Sequence, residues 1–191
     1  WVNLATIPNR RAALVTRGGA GIWLDSSNHW VFGGIGGGIV GAAASSGWSL
    51  ITAVQRGAAG TRMLYVNGVQ VATGPAQAAD AGGDLWIGGN ATAANGDFFT
   101  GGIDDVRLYN RALSLADITA LADPHVTLAS TAGPDAWTIH VDSAGGQVQF
   151  LLNGGMVLTR PVDAVGSIDF LGGGGDDVLT LEFADGDPLP P

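Results

Sequence analysis

Apolar residues in this chain come in short alternating runs about ten residues apart, broken by Gly, Asn and Asp, with almost no helical periodicity. That rhythm constrains the fold more than any other feature. Strands of this length cannot bury both faces alone, so they must pair into sheets packed face to face, as in a sandwich or jelly roll. Trp1 to Ile7 alternates large with small or polar residues and ends at Pro8-Asn9. Ala12 to Thr16, Gly21 to Asp25 and His29 to Phe32 repeat the pattern. Trp48 to Gln55 is a longer run, with Trp48, Leu50, Thr52 and Val54 expected on one face. Asn67-Gly68 sits between Arg62–Val66 and Val69–Val71. Both residues tolerate positive φ, so Met63 to Thr73 is expected to be a hairpin closed by a type I′ turn. Leu85 to Gly89 is expected as a buried strand, placing Trp86 inward alongside Trp48.

Helical character appears once. Ser114 precedes Leu115, Ile118 and Leu121, with Asp117 three residues on. This predicts a short helix over 114–121 with a capping box in which Asp replaces the usual Glu, packed on the sandwich edge.

Composition bounds the rest. Of 191 residues 46% are hydrophobic, enough to offset the ordering entropy of a folded domain even with 32 glycines. Cysteine is absent, which removes disulfides, thiolate metal sites and a Cys nucleophile. The apolar runs are too short to span a bilayer, so no membrane insertion is expected. Seven Arg and seven Asp cancel over residues 1–122, whereas nine Asp and Glu182 against Arg160 give residues 123–191 the whole net charge of −9. An acidic chain without lysine has no basic stripe for nucleic acid. The charge break places a boundary near residue 122, dividing the chain into 1–122 and 123–191. The start at Trp1 and the Pro-rich stop read as cuts, so the chain is expected to be part of a larger polypeptide.

Four motifs occur in order. They are the run after Trp48, Leu64-Tyr65-Val66-Asn67-Gly68-Val69-Gln70-Val71-Ala72, Leu85-Trp86-Ile87-Gly88-Gly89, and the stretch from Phe99 through Gly101-Gly102-Ile103-Asp104-Asp105-Val106-Arg107-Leu108-Tyr109 to Ser114. Together they resemble the concanavalin A-like lectin/glucanase superfamily, more narrowly its laminin G-like jelly-roll domains, over residues 1–122. Trp1-Val2 is similar to an early strand of that family, so the resemblance implies a partial, N-terminally truncated jelly roll. The fold class expected is all-β: an antiparallel jelly-roll sandwich with one short helix, then a small β-rich segment. The resemblance implies a non-catalytic carbohydrate-binding or adhesion module, extracellular or at the cell surface, with a glycan or extracellular protein as ligand. Its alternatives are a structural spacer in a large surface protein and an accessory domain of a glycoside hydrolase.

Hydrolysis of glycans needs paired carboxylates. The one Glu is Glu182, and Asp104 and Asp105, neighbours on a strand, point to opposite faces, so no catalytic residue is assigned. Asp104 shares parity with Val106 and Leu108, expected to face inward, so its carboxylate needs a partner. The resemblance implies calcium there; Arg107, Arg111 or loop amides are the other reading. Aromatic rings offer sugars an apolar face. Among Trp23, Trp30, Trp86, Phe98 and Phe99, the best surface candidates for ligand binding are Trp30 and Phe98, beside Gly- and Asn-rich loops. His29, His125 and His140 show no ligand spacing, and Asn90-Ala91-Thr92 fits a glycosylation acceptor.

Residues 126–187 carry further strands: 126–128, 137–141, 148–152, 167–171 and 178–183. Gly172 to Thr180 matches the nonapeptide of calcium-binding β-roll repeats, with Asp177 the candidate ligand. Gly133 to Trp137 looks like a partial copy, with Asp135 and Asp177 separated by 42 residues. The segment resembles a degenerate β-solenoid, for which the plainer reading is an acidic spacer.

Overall fold

The structure is a computed structural model that describes residues 1–4, 6–34, 36–78, 82–90, 97–144 and 146–188. It is nearly all β and divides into two compact units, Trp1–Leu113 and Ser114–Pro191.

The first unit contains β1 (Val2–Leu4), β2 (Ala12–Arg17), β3 (Ala20–Leu24), β4 (His29–Gly34), β5 (Ile39–Ala43), β6 (Gly47–Ser49), β7 (Ile51–Gln55), β8 (Thr61–Val66), β9 (Val69–Pro75), β10 (Leu85–Ile87) and β11 (Gly102–Ile103). One sheet runs β10-β2-β3-β4-β5. The others run β11-β1-β6 and β7-β8-β9. All the strand pairings within them are antiparallel. Leu4, Ala12, Leu14, Leu24, Trp30 and Leu64 form the shared core. This is the antiparallel jelly-roll sandwich that the short-strand rhythm predicts.

The long run at Trp48 is not one strand. It breaks at Leu50, and burial shifts parity across the break: Ser49 and Val54 are buried while Trp48 is 50% exposed. Asn67 holds the break open. Its side-chain oxygen accepts from the Leu50 N–H at 2.8 Å, and its own N–H donates to the Leu50 carbonyl at 2.9 Å. Asn67 (φ 50°) and Gly68 (φ 80°) also close the β8–β9 hairpin, where Val66 pairs with Val69. One asparagine thus serves both the turn and the neighbouring strand.

The second unit contains α1 (Leu115–Ala122), β12 (His125–Ala129), β13 (Ala136–Val141), β14 (Gln147–Leu152), β15 (Gly155–Pro161), a short 3-10 turn η1 (Val162–Ala164), β16 (Ser167–Leu171) and β17 (Val178–Glu182). The capping box forms as expected: the Asp117 N–H donates to Ser114 Oγ at 3.1 Å, and the Ser114 N–H to Asp117 Oδ2 at 2.9 Å. The helix packs on β15 and η1 and so belongs to the second unit, where Ile118 is wholly buried.

β15 has no counterpart among the expected strands. It returns from β14 through Asn153-Gly154, both at positive φ, with Leu152 paired to Gly155. The signal was the same Asn-Gly dipeptide as in the first unit. β12 pairs in parallel with β16, and β13 in parallel with β17, while β14 and β15 extend the other side of β13 antiparallel.

Asn67→Ala should destabilise the first unit by about 1–3 kcal/mol, from a lost side-chain hydrogen bond and a left-handed backbone that alanine resists. Asn67→Gly should recover the backbone share alone. Chemical denaturation of the three proteins checks the split; equal losses in both variants would refute it.

Candidate recognition edge and acidic turns

Two exposed rings of the first unit, Trp86 and Phe98, lie together at β10, the edge strand of the five-stranded sheet. β10 pairs on one side with β2, matching Leu85 to Arg17, Trp86 to Thr16 and Ile87 to Val15. All three of its residues are exposed, Trp86 at 39%. Trp86 is therefore outside, contrary to the inward assignment. A three-residue strand has too little sequence to declare a face, and an edge position leaves its side chains uncovered.

Phe98 joins it from the following loop. The Phe98 segment is drawn to β2 by the Ala13 N–H, which donates to the Asp97 carbonyl at 2.7 Å. Phe98 is 57% exposed. Both rings border Gly89: a Cβ there would stand 3.2 Å from Phe98 Cδ1 and 3.9 Å from Trp86 Cε3. Gly89 is buried beneath them, and its missing side chain lets the two rings lie close to the backbone. Gly88 and Gly89 are anchored beneath, where Gly88 N–H donates to the Leu14 carbonyl and Thr16 Oγ1 to the Gly89 carbonyl.

The rim is polar. Arg10 donates to the Phe98 carbonyl at 2.9 Å and to Thr100 Oγ1 at 3.1 Å. Arg11 is paired with Asp97 at 2.6 Å and lies over the Trp23 ring. An apolar ring surface with charged and hydroxyl groups at its margin suits stacking and hydrogen bonding to a polyol.

Trp30 takes no part. It is 1% exposed, in the sandwich core with Leu24 and Leu64, and its position on β4 rather than in the adjacent Gly-rich loop decides this. A sugar has no access to that ring. Trp23 is likewise buried. Ala91 and Thr92 of the acceptor tripeptide lie outside the described residues.

Asp104 is exposed rather than inward. β11 ends at Ile103, and Asp105 turns into the left-handed region at φ 49°, which breaks the expected strand. Val106 and Leu108 are accordingly exposed at 39% and 69%. Asp104 Oδ1 accepts from the Asp105 N–H at 2.8 Å, and Asp105 pairs with Arg107 at 2.6 Å. The Asp104 carboxylate thus has a loop amide for a partner, while the arginine goes to Asp105.

Asp177 lies in the second unit, where its Oδ1 accepts from the Asp135 N–H at 2.9 Å. Asp135, 5% exposed, accepts from the Thr131 N–H and from Asn153 Nδ2. Those bonds, the Thr131 amide foremost, hold its carboxyl below the usual aspartate range. His140 is bonded to Gln149 and Glu182, and the Gln149 bond leads the causes that raise it above its ordinary value.

Calcium requires six to eight oxygen ligands. Among the described residues no three acidic or histidine side chains converge around Asp104 or Asp177.

The first unit is a jelly-roll sandwich with an aromatic edge at β10. Residues 1–119 match the family model described as the concanavalin A-like lectin/glucanases superfamily, and the chain belongs to that family. Its laminin G-like domains are generally non-catalytic binding modules. A crystal structure of an S-layer domain-containing protein from Clostridium thermocellum is similar at 22% identity and a TM-score of 0.34, covering 64% of this chain and 67% of that one. No curated protein matches the chain. No helix among the described residues is long and apolar enough to cross a membrane.

Two measurements follow from these side chains. The Asp135 contribution is present above the unfolded pKa and is lost as pH falls through its lowered folded value; the His140 contribution is full below about pH 6.5 and is lost as pH rises through its raised value. Thermal midpoints against pH should therefore lose their acid slope in Asp135→Asn and part of their neutral-to-alkaline slope in His140→Asn. Parallel curves for parent and variants would contradict the assignment. Calcium at millimolar concentration is expected to leave the midpoint of the parent and of Asp104→Ala unchanged; a rise in the parent that the variant lacks would assign an ion to Asp104.

Proposed function

We propose that the first unit is a non-catalytic carbohydrate-binding module of a secreted or cell-surface protein, and that Trp86 and Phe98 are its contact rings. The observation that carries this reading is the pair of exposed rings packed close over Gly89 at a sheet edge, rimmed by Arg10 and Thr100. In the folded state such rings gain little from exposure to water, whereas a sugar's C–H face would cover them and its hydroxyls would meet the rim. An extracellular protein bound through the same edge would use the same rings as anchors.

A spacer role receives support from a different place. The second unit stacks its strands in parallel layers, an arrangement that extends a chain. The two roles are compatible in one polypeptide, with recognition in the first unit and extension in the second.

A glycan array probed with the parent, Trp86→Ala and Phe98→Ala tests the reading. Parent binding to a defined glycan class should fall at least tenfold in each variant, with thermal midpoints close to the parent's because both rings are exposed. Absence of binding by the parent, or equal binding by the variants, would overturn it.

A further inference from the structure

The second unit shows a repeat in three dimensions. The parallel pairs β12–β16 and β13–β17 share one offset of 42 residues, seen in His125 opposite Ser167, Asp135 bonded to Asp177 and His140 opposite Glu182. Residues 125–142 thus form one layer and residues 167–183 a second layer laid upon it in register. The turns stack as well. Gly173 and Gly175 have positive φ, and a Cβ on them would meet Thr131 O at 2.5 Å and Gly133 C at 2.6 Å. The upper turn therefore needs Gly-x-Gly two residues before its Asp to lie this close to the turn below.

The two layers differ sharply in cover. Val126, Leu128, Trp137 and Ile139 of the first are 1–3% exposed. Their counterparts Ile168, Phe170, Leu179 and Leu181 have the same apolar character but are only partly covered, with Leu179 at 37%. Polar groups repeat the asymmetry. The Asp135 N–H is satisfied by the Asp177 carboxylate, whereas the equivalent Asp177 N–H has no partner among the described residues. His125 meets Asp169 at 3.3 Å and His140 meets Glu182 at 3.2 Å, and both carboxylates remain more than half exposed.

The opposite side is closed, because β14 and β15 occupy the other edge of β13. Copies of the chain therefore cannot stack head to tail through β13.

We propose that the β16–β17 face is an acceptor surface for a further polypeptide layer of the same class. Its occupant is a strand–turn–strand segment with Gly-x-Gly-x-Asp in the turn, alternating apolar residues on both arms, and histidines opposite Asp169 and Glu182. The incoming Asp carboxylate accepts from the Asp177 N–H, as Asp177 does from Asp135, and the incoming apolar residues cover Ile168, Phe170, Leu179 and Leu181. This continues an interface the molecule already contains and is independent of the glycan reading.

The test extends the whole chain by a flexible Gly/Ser segment of about 16 residues, which together with residues 183–191 matches the existing return from Val141 to Ser167. A second copy of Ser167–Asp187 follows, carrying Asp169→His and Glu182→His in the copy. Amide hydrogen exchange at Asp177 and along β16 and β17 should slow at least tenfold relative to the parent, and the thermal midpoint should rise. Asp177→Ala within the copy should remove the protection at the original Asp177 amide first. Parent-like exchange in the extended chain would overturn the proposal. So would concentration-dependent dimerisation of the parent that protects the same amides, since that assigns the face to a second copy.

Discussion

With a single eight-residue α-helix among the described residues, the chain must satisfy nearly all its backbone donors and acceptors between segments far apart in sequence. Everything else in the molecule depends on that obligation. It explains why tight turns carry so much responsibility: each one sets the register of two strands, and a one-residue slip would turn every side chain to the other face. The two Asn-Gly turns, at Asn67-Gly68 and Asn153-Gly154, discharge this duty twice over. Each asparagine also reaches a neighbouring strand, Asn67 to the Leu50 N–H and Asn153 to the Ala136 N–H. Turn and ladder are locked by the same side chain.

The units meet the obligation differently. The first closes antiparallel sheets into a sandwich whose core is shared between layers, and the leftover edge strand β10 leaves Trp86 outside beside Phe98. The second lays one parallel layer on another, so its chemistry repeats vertically: apolar on apolar, carboxylate on amide, imidazole on carboxylate. In both, the proposed binding surface lies where pairing stops. An edge that carries rings over glycine is suited to recognition, whereas an edge that carries an in-register repeat is suited to another layer.

Much of this was legible in the residues. Strand spacing, the hairpin at Asn67-Gly68, the capped helix and the family motifs follow from local chemistry: positive-φ tolerance, a serine beside an aspartate, alternation of apolar side chains. Phe98 was identified as a surface ring because its flanking residues are polar loop formers. Trp30 sits by a similar loop yet is wholly buried, while Trp48 and Trp86 lie in apolar runs yet are exposed. Local pattern cannot separate these cases, since burial of a tryptophan depends on which strands cover it. Val106 and Leu108 mislead for the same reason, once Asp105 leaves the β region.

The sequence by itself determined an all-β chain, its turns, its family and the likeness of the turns at Asp135 and Asp177, because those properties reside in short stretches and their covalent spacing. Only the tertiary structure decided that Trp86 rather than Trp30 stands beside Phe98, that the helix packs in the second unit, and that the two acidic turns stack in register. Each of those facts concerns neighbours distant along the chain, and their contact is set by strand pairing and close packing rather than by any residue's own preference.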